Sequence, residues 1–124
     1  MNKLVLIVDD STEIANSLAL AIGRLDHVQT CIAAHPKSAL RLFDAPTFQL
    51  AALITDFNLP SVDGLRLIGE IRRRSAKPAL PAILITAQEN IQELDGDTLS
   101  RPNFVFQKPF SVAEVCRVLK FLLE

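Results

Sequence analysis

Leu4 to Val8 reads Leu-Val-Leu-Ile-Val, an unbroken apolar run that ends at once in Asp9 and Asp10. A strand with one wet face alternates apolar and polar residues, so a continuous run belongs to a strand covered on both faces, as in parallel sheets. Leu50 to Thr55 and Ala82 to Thr86 repeat the pattern, Phe104 to Phe106 is a shorter version, and Val28 to Ala33 is a weaker one. Helical spacing fills the gaps. Ile14, Leu18, Ala21, Ile22 and Leu25 keep one face over three turns, with Ser11 or Thr12 placed to cap. Pro36 opens a second helix with Ala39, Leu40 and Phe43 inward and Pro46 closing it, and Leu65, Ile68 and Ile71 mark a third after Asp63-Gly64. A short, weakly patterned fourth covers Glu89 to Leu94, and Asp95 to Asn103 reads as a surface connection. In the last helix Ser111 caps, Glu114 completes a capping box, and Val112, Val115, Leu119 and Leu122 form the stripe.

Strands alternating with helices at these spacings imply right-handed βαβ crossovers. The expected fold is α/β: one doubly wound domain over residues 1–124, with five parallel strands in the flavodoxin-like order 2-1-3-4-5 and helices on both faces. A chain of 124 residues, 49% hydrophobic, suits one core. Its formal charge of -1 gives no footprint for nucleic acid. The first apolar run is too short for a membrane span or a secretory core, so a cytoplasmic protein is expected. Cys31 and Cys116 lack any CxxC or His-rich neighbourhood and read as buried free thiols, in keeping with a reducing compartment.

In such sheets ligands bind beyond the carboxyl ends of the strands. Asp9 and Asp10, Asp56, Thr86 and Lys108 each stand at the end of an apolar run. Carboxylates brought within about 4 Å repel by roughly 4 kcal/mol per pair at an effective dielectric near 20, and a hard divalent cation relieves this. Mg²⁺ is commonly held by one or two carboxylates plus phosphate oxygens, which Asp9, Asp10 and Asp56 could supply. Asp56, alone at a strand end, is the best nucleophile for an acyl phosphate, with Lys108 and Thr86 placed to stabilise the transferred oxygens. Taken singly, each feature is ordinary: Asp9-Asp10 as a solvated helix start, Thr86 as a β-branched strand residue, Lys108-Pro109 as a strand end. The Arg72-Arg73-Arg74 run with Lys77 reads as a solvated helix end, Phe104 and Phe106 as core, and His27 and His35 as too remote to be ligands.

Together, Val8-Asp9-Asp10, Asp56-Phe57-Asn58-Leu59-Pro60, Asp63-Gly64, Thr86-Ala87 and Lys108-Pro109-Phe110 resemble the response-regulator receiver family of two-component signalling, and chemotaxis regulators in particular, over the whole chain. The resemblance implies that Asp56 takes a phosphoryl group from a histidine kinase or a histidine phosphotransfer protein, with Mg²⁺ as cofactor. It implies that the Asn58 backbone carbonyl completes the metal shell, that Thr86 and Lys108 contact the phosphoryl group, and that Asn58 and Gln88 tune its loss. It further implies an effector bound on the surface of the fourth helix, fifth strand and fifth helix, a possible homodimer, no independent substrate turnover, and no nucleic-acid or membrane partner. One position departs from the pattern: Val105 stands where many receivers carry Tyr or Phe, and Phe104 and Phe106 point to the other side of the strand. Switching without an aromatic swing is therefore expected.

Other classes fit less well. A haloacid-dehalogenase-type phosphotransferase would want an aspartate where Asn58 stands, and a flavin carrier would not line its first phosphate loop with Asp9 and Asp10. The runner-up is a degenerate receiver acting as an unphosphorylated interaction module.

Overall fold

The computed structural model describes residues 2–45, 49–75, 77–88 and 98–124. Its strands are β1 (Lys3–Val8), β2 (Val28–Ala33), β3 (Leu50–Asp56), β4 (Ala82–Thr86) and β5 (Phe104–Gln107). They form one parallel sheet in the order β2-β1-β3-β4-β5. Among the described residues the helices are α1 (Thr12–Ile22), α2 (Pro36–Phe43), α3 (Gly64–Ser75) and α4 (Val112–Leu123). The expected helix at Glu89 to Leu94 and the closing role of Pro46 lie outside the described residues.

The unbroken apolar runs fold as strands because both of their faces find cover. Along β1, Val5 and Ile7 join α1 and α4 residues such as Leu18, Ile22, Val115 and Leu119 on one side. Leu6 and Val8 join Ala39, Leu67, Ile68 and Ile71 of α2 and α3 on the other. Each fully buried aliphatic side chain contributes about 1.5–3 kcal/mol relative to exposure. The helix starts follow their capping residues: Ser11 Oγ accepts from Ile14 N at 3.4 Å, Ser111 Oγ from Glu114 N at 3.2 Å, and Asp63 Oδ1 from Arg66 N at 2.9 Å.

Three expectations are corrected. Arg72 is not part of a solvated helix end; it is 5% exposed. The guanidinium of Arg72 donates to the carbonyls of Leu80, Leu99 and Arg101 and to Asn103 Oδ1, while Arg73 and Arg74 face outward. A buried cation needs such a set of acceptors, because desolvation opposes its charge and lowers its pKa from the usual guanidinium value. Phe104 is 44% exposed rather than core, since β5 is an edge strand; its ring lies 4.8 Å from that of Phe106, centroid to centroid. Both cysteines are free but only half-buried, Cys31 on the edge strand β2 and Cys116 on the flank of α4. Burial raises the pKa of the Cys116 thiol.

Ser61 carries a strained backbone, at φ 67° in the loop between β3 and α3. The left-handed region costs a non-glycine residue roughly 1–2 kcal/mol, of which glycine's greater freedom in the unfolded chain cancels part. Ser61→Gly is expected to stabilise the protein by about 0.5–1 kcal/mol, seen as a higher urea midpoint at constant slope. An unchanged or lower midpoint would mean that the bond from Ser61 Oγ to the Pro60 carbonyl, 2.6 Å long, outweighs the strain.

Candidate functional site

The carboxyl ends of β1, β3, β4 and β5 bring together the residues that the sequence singles out. Asp9 follows β1 directly and is buried; its Oδ1 accepts from Ser11 N at 2.8 Å, which also orders the start of α1. Its other oxygen, Oδ2, is buried without a hydrogen-bond partner among the described residues. Asp10 is exposed. Asp56, the last residue of β3, is buried, and ligand atoms of Asp9, Asp10 and Asp56 lie within 4.8 Å of one another. Burial raises the pKa of Asp9; the Ser11 amide pulls the other way, Asp56 and Asp10 push it up further, and Lys108 opposes them.

Lys108 lies just past β5, and its Nζ is 3.3 Å from Asp56 Oδ1. The Lys108 backbone N–H donates to the Thr86 carbonyl at 2.8 Å, so the ends of β4 and β5 are joined beside the acidic group. Thr86 is buried, and its Oγ1 accepts from Gln88 N at 2.9 Å. That leaves the hydroxyl proton as a donor for another group. The Lys108–Pro109 peptide is cis. Asn58 is exposed, and its approach is set by Phe57, whose N–H donates to the Ile85 carbonyl and whose carbonyl accepts from Gly64 N, both at 2.8 Å.

Buried Asp9 Oδ2 and the converging carboxylates are the donor set that a hard divalent cation satisfies, and an oxygen-only set favours Mg²⁺ or Ca²⁺ over softer metals. His27 is not near it: its carbonyl accepts from Lys3 N, at the opposite end of β1 from Asp9. Val105 packs against the α2 and α3 side of the sheet and Phe106 against the α1 and α4 side, as strand alternation requires. Sequence reasoning missed Arg72 and Asn103. Arginine in a basic helix end carries no local sign of burial, and its acceptors lie 8 to 31 residues away. It also missed how closely Gly64 approaches Asp56, although the glycine itself stood out in the Asp63-Gly64 pair.

A doubly wound sheet with acidic side chains just past its first strand and at the end of its third, facing a lysine past its fifth, defines a receiver-type α/β domain. The chain belongs to the response regulator receiver domain family, whose model matches residues 5–120. It is 31% identical over 120 residues to the chemotaxis protein CheY1 of Helicobacter pylori, covering 97% of this chain and 93% of that protein. It is also 31% identical to the probable transcriptional regulatory protein TcrX of Mycobacterium tuberculosis, of which it spans only 49%. Among solved structures, a putative response regulator from Chloroflexus aurantiacus superposes with a TM-score of 0.81 at 29% identity, covering 99% of this chain and 98% of that one. The response regulator TrrA of Thermotoga maritima, determined in complex with Mg²⁺ and BeF, superposes with a TM-score of 0.79 at 26% identity, covering 97% and 98%.

Proposed function

We propose that the chain is a receiver domain over its full length, which accepts a phosphoryl group on Asp56 from a phosphohistidine donor, a histidine kinase or a histidine phosphotransfer protein, and passes the signal to an effector protein. The observation that carries this is the convergence of buried Asp56 with Asp9 and Asp10 on one side and Lys108 Nζ on the other, at 3.3 Å. Asp9, Asp10, Asp56 and the Asn58 carbonyl would hold Mg²⁺, which supplies charge neutralisation for an incoming phosphoryl group. Lys108 draws off charge from the attacked or phosphorylated carboxylate, and the Thr86 hydroxyl donates to a phosphoryl oxygen. The group is received and later lost on the protein itself, so no separate substrate is turned over. Val105, unable to swing as an aromatic would, leaves the Thr86 to Lys108 segment and the outer surface of β5 to carry the signal.

The test is an intact-mass measurement after incubation with acetyl phosphate and Mg²⁺. The expected result is one phosphate-sized increment that disappears in Asp56→Asn and in the presence of a chelator. A wild-type mass that does not change would overturn the proposal in favour of an unphosphorylated interaction module.

A further inference from the structure

β5 is held differently from its neighbour β4. Like β2 it is an edge strand, paired among the described residues with one neighbour, β4, and its residues are exposed or half-buried, whereas every residue of β4 is buried. Side-chain burial therefore aligns β4 firmly, while β5 is held along its axis by the half-buried Val105 and Phe106 and by its ladder to β4. Arg72 supplies a second hold. Its Nε and Nη2 donate to the Leu80 carbonyl, just before β4, at 3.0 and 2.8 Å. Nη1 donates to the carbonyls of Leu99 and Arg101, and Nη2 also to Asn103 Oδ1 at 3.0 Å, just before β5. Asn103 Oδ1 also accepts from Ala82 N, the first residue of β4, at 2.8 Å. One rigid, planar fork on α3 thus fixes the entrances of β4 and β5 against each other. Both strands then run to the site, where they deliver Thr86 and Lys108.

We propose that Arg72 is a positioning residue for Lys108, setting where β5 lies along β4 and so the contact of Lys108 Nζ with Asp56. Asn103 and Lys108 are separated by about 16 Å of extended chain, and an axial shift at one end of a strand is carried to the other. The inference rests on the phosphoacceptor reading, because Lys108 matters only where a phosphoryl-like group must be held. The hydrogen bonds of Arg72 reach none of Asp9, Asp10 or Asp56, which stand just after β1 and at the end of β3. Cation binding and phosphoryl-group binding should accordingly respond differently to its loss.

The experiment titrates Arg72→Gln, Arg72→Lys and Asn103→Ala by calorimetry, first with Mg²⁺ alone and then with beryllofluoride at saturating Mg²⁺, with circular dichroism as the check on folding. Arg72→Gln should keep its Mg²⁺ affinity within about twofold and lose about five- to tenfold in beryllofluoride affinity, as a misplacement of an ångström or less would cause. Arg72→Lys should recover only part, because an ammonium cannot serve both entrances at once. Added to Lys108→Ala, Arg72→Gln should cost little more than Lys108→Ala alone. Should Arg72→Gln not fold, Asn103→Ala, which removes one acceptor and leaves the three carbonyls, must show the same split more weakly. Equal losses for Mg²⁺ and beryllofluoride, or full additivity with Lys108→Ala, overturn the positioning role and leave Arg72 as a structural tie. A wild-type protein that binds Mg²⁺ but not beryllofluoride overturns the parent reading instead, and this one with it.

Discussion

Gly64→Ala is expected to cost at least about 2–3 kcal/mol of stability and to disrupt the site at the same time. A Cβ on Gly64 would lie 2.3 Å from the Asp56 carbonyl oxygen, 2.8 Å from Leu84 Cδ1 and 3.0 Å from Phe57 Cα. Two of those neighbours are backbone of β3 and of the residue that follows it. They cannot yield without moving Asp56 and the chain leading to Asn58. Gly64 is also the first residue of α3 and donates its N–H to the Phe57 carbonyl at 2.8 Å, so the helix cannot retreat without losing that bond. Gly69→Ala makes a useful control on the same helix. There the closest atom, at 2.5 Å, is Ser100 Oγ, the end of a side chain that can rotate away. Thermal melts should show Gly64→Ala falling by roughly 6–12 °C and Gly69→Ala by a small fraction of that. A Gly64→Ala protein that melts like wild type and binds Mg²⁺ normally would mean that the turn after β3 is far more pliable than this close approach implies.

The fold was legible wherever burial speaks through local sequence. β1, β3 and β4 are buried on both faces, so their runs are continuous; β2 and β4 keep the bounds expected, while β1 begins one residue early and β3 and β5 end one residue late. The caps were legible for the same reason, because Ser11 and Ser111 act within three residues of themselves. The candidate site was legible because the topology gathers strand ends: Asp9, Asp56, Thr86 and Lys108 could be brought to one edge from sequence and a winding rule alone. What escaped depends on contacts between distant segments. Arg72 looked like its neighbours Arg73 and Arg74, and the acceptors brought to it by Leu80, Leu99, Arg101 and Asn103 set it apart. Phe104 looked like core because an aromatic in an apolar run reads as buried, although the expected order 2-1-3-4-5 already placed its strand at the edge of the sheet. The backbone strain at Ser61 likewise has no marker, since serine is an ordinary turn residue.

Asp9→Asn separates stability from function in a way the geometry makes testable. Burial, with Asp56 and Asp10 adding to it, raises the Asp9 pKa above the ordinary aspartate value, so folding of the metal-free protein favours the protonated form. The stability this group contributes is fully present below the unfolded-state pKa, near 3.8, and is lost as the pH rises through the higher folded-state pKa. Above that folded-state value the ionised carboxylate therefore opposes folding, through desolvation and through repulsion from its neighbours. Asparagine removes the charge, can keep the bond from Ser11 N, and puts an amide N–H₂ where Oδ2 has no partner among the described residues. In a chelator at about pH 8 the variant should be more stable than wild type, the advantage shrinking toward zero by about pH 4. Millimolar Mg²⁺ should invert the order, because ligand binding to the folded state stabilises by RT ln(1 + [L]/Kd), and Asp9→Asn should weaken Mg²⁺ binding by more than about tenfold. Melts in chelator and in Mg²⁺ at the two pH values check every part. A variant less stable than wild type in chelator at the higher pH would show that the Asp9 charge is compensated within the protein, and that the acidic cluster is not held in readiness for a cation.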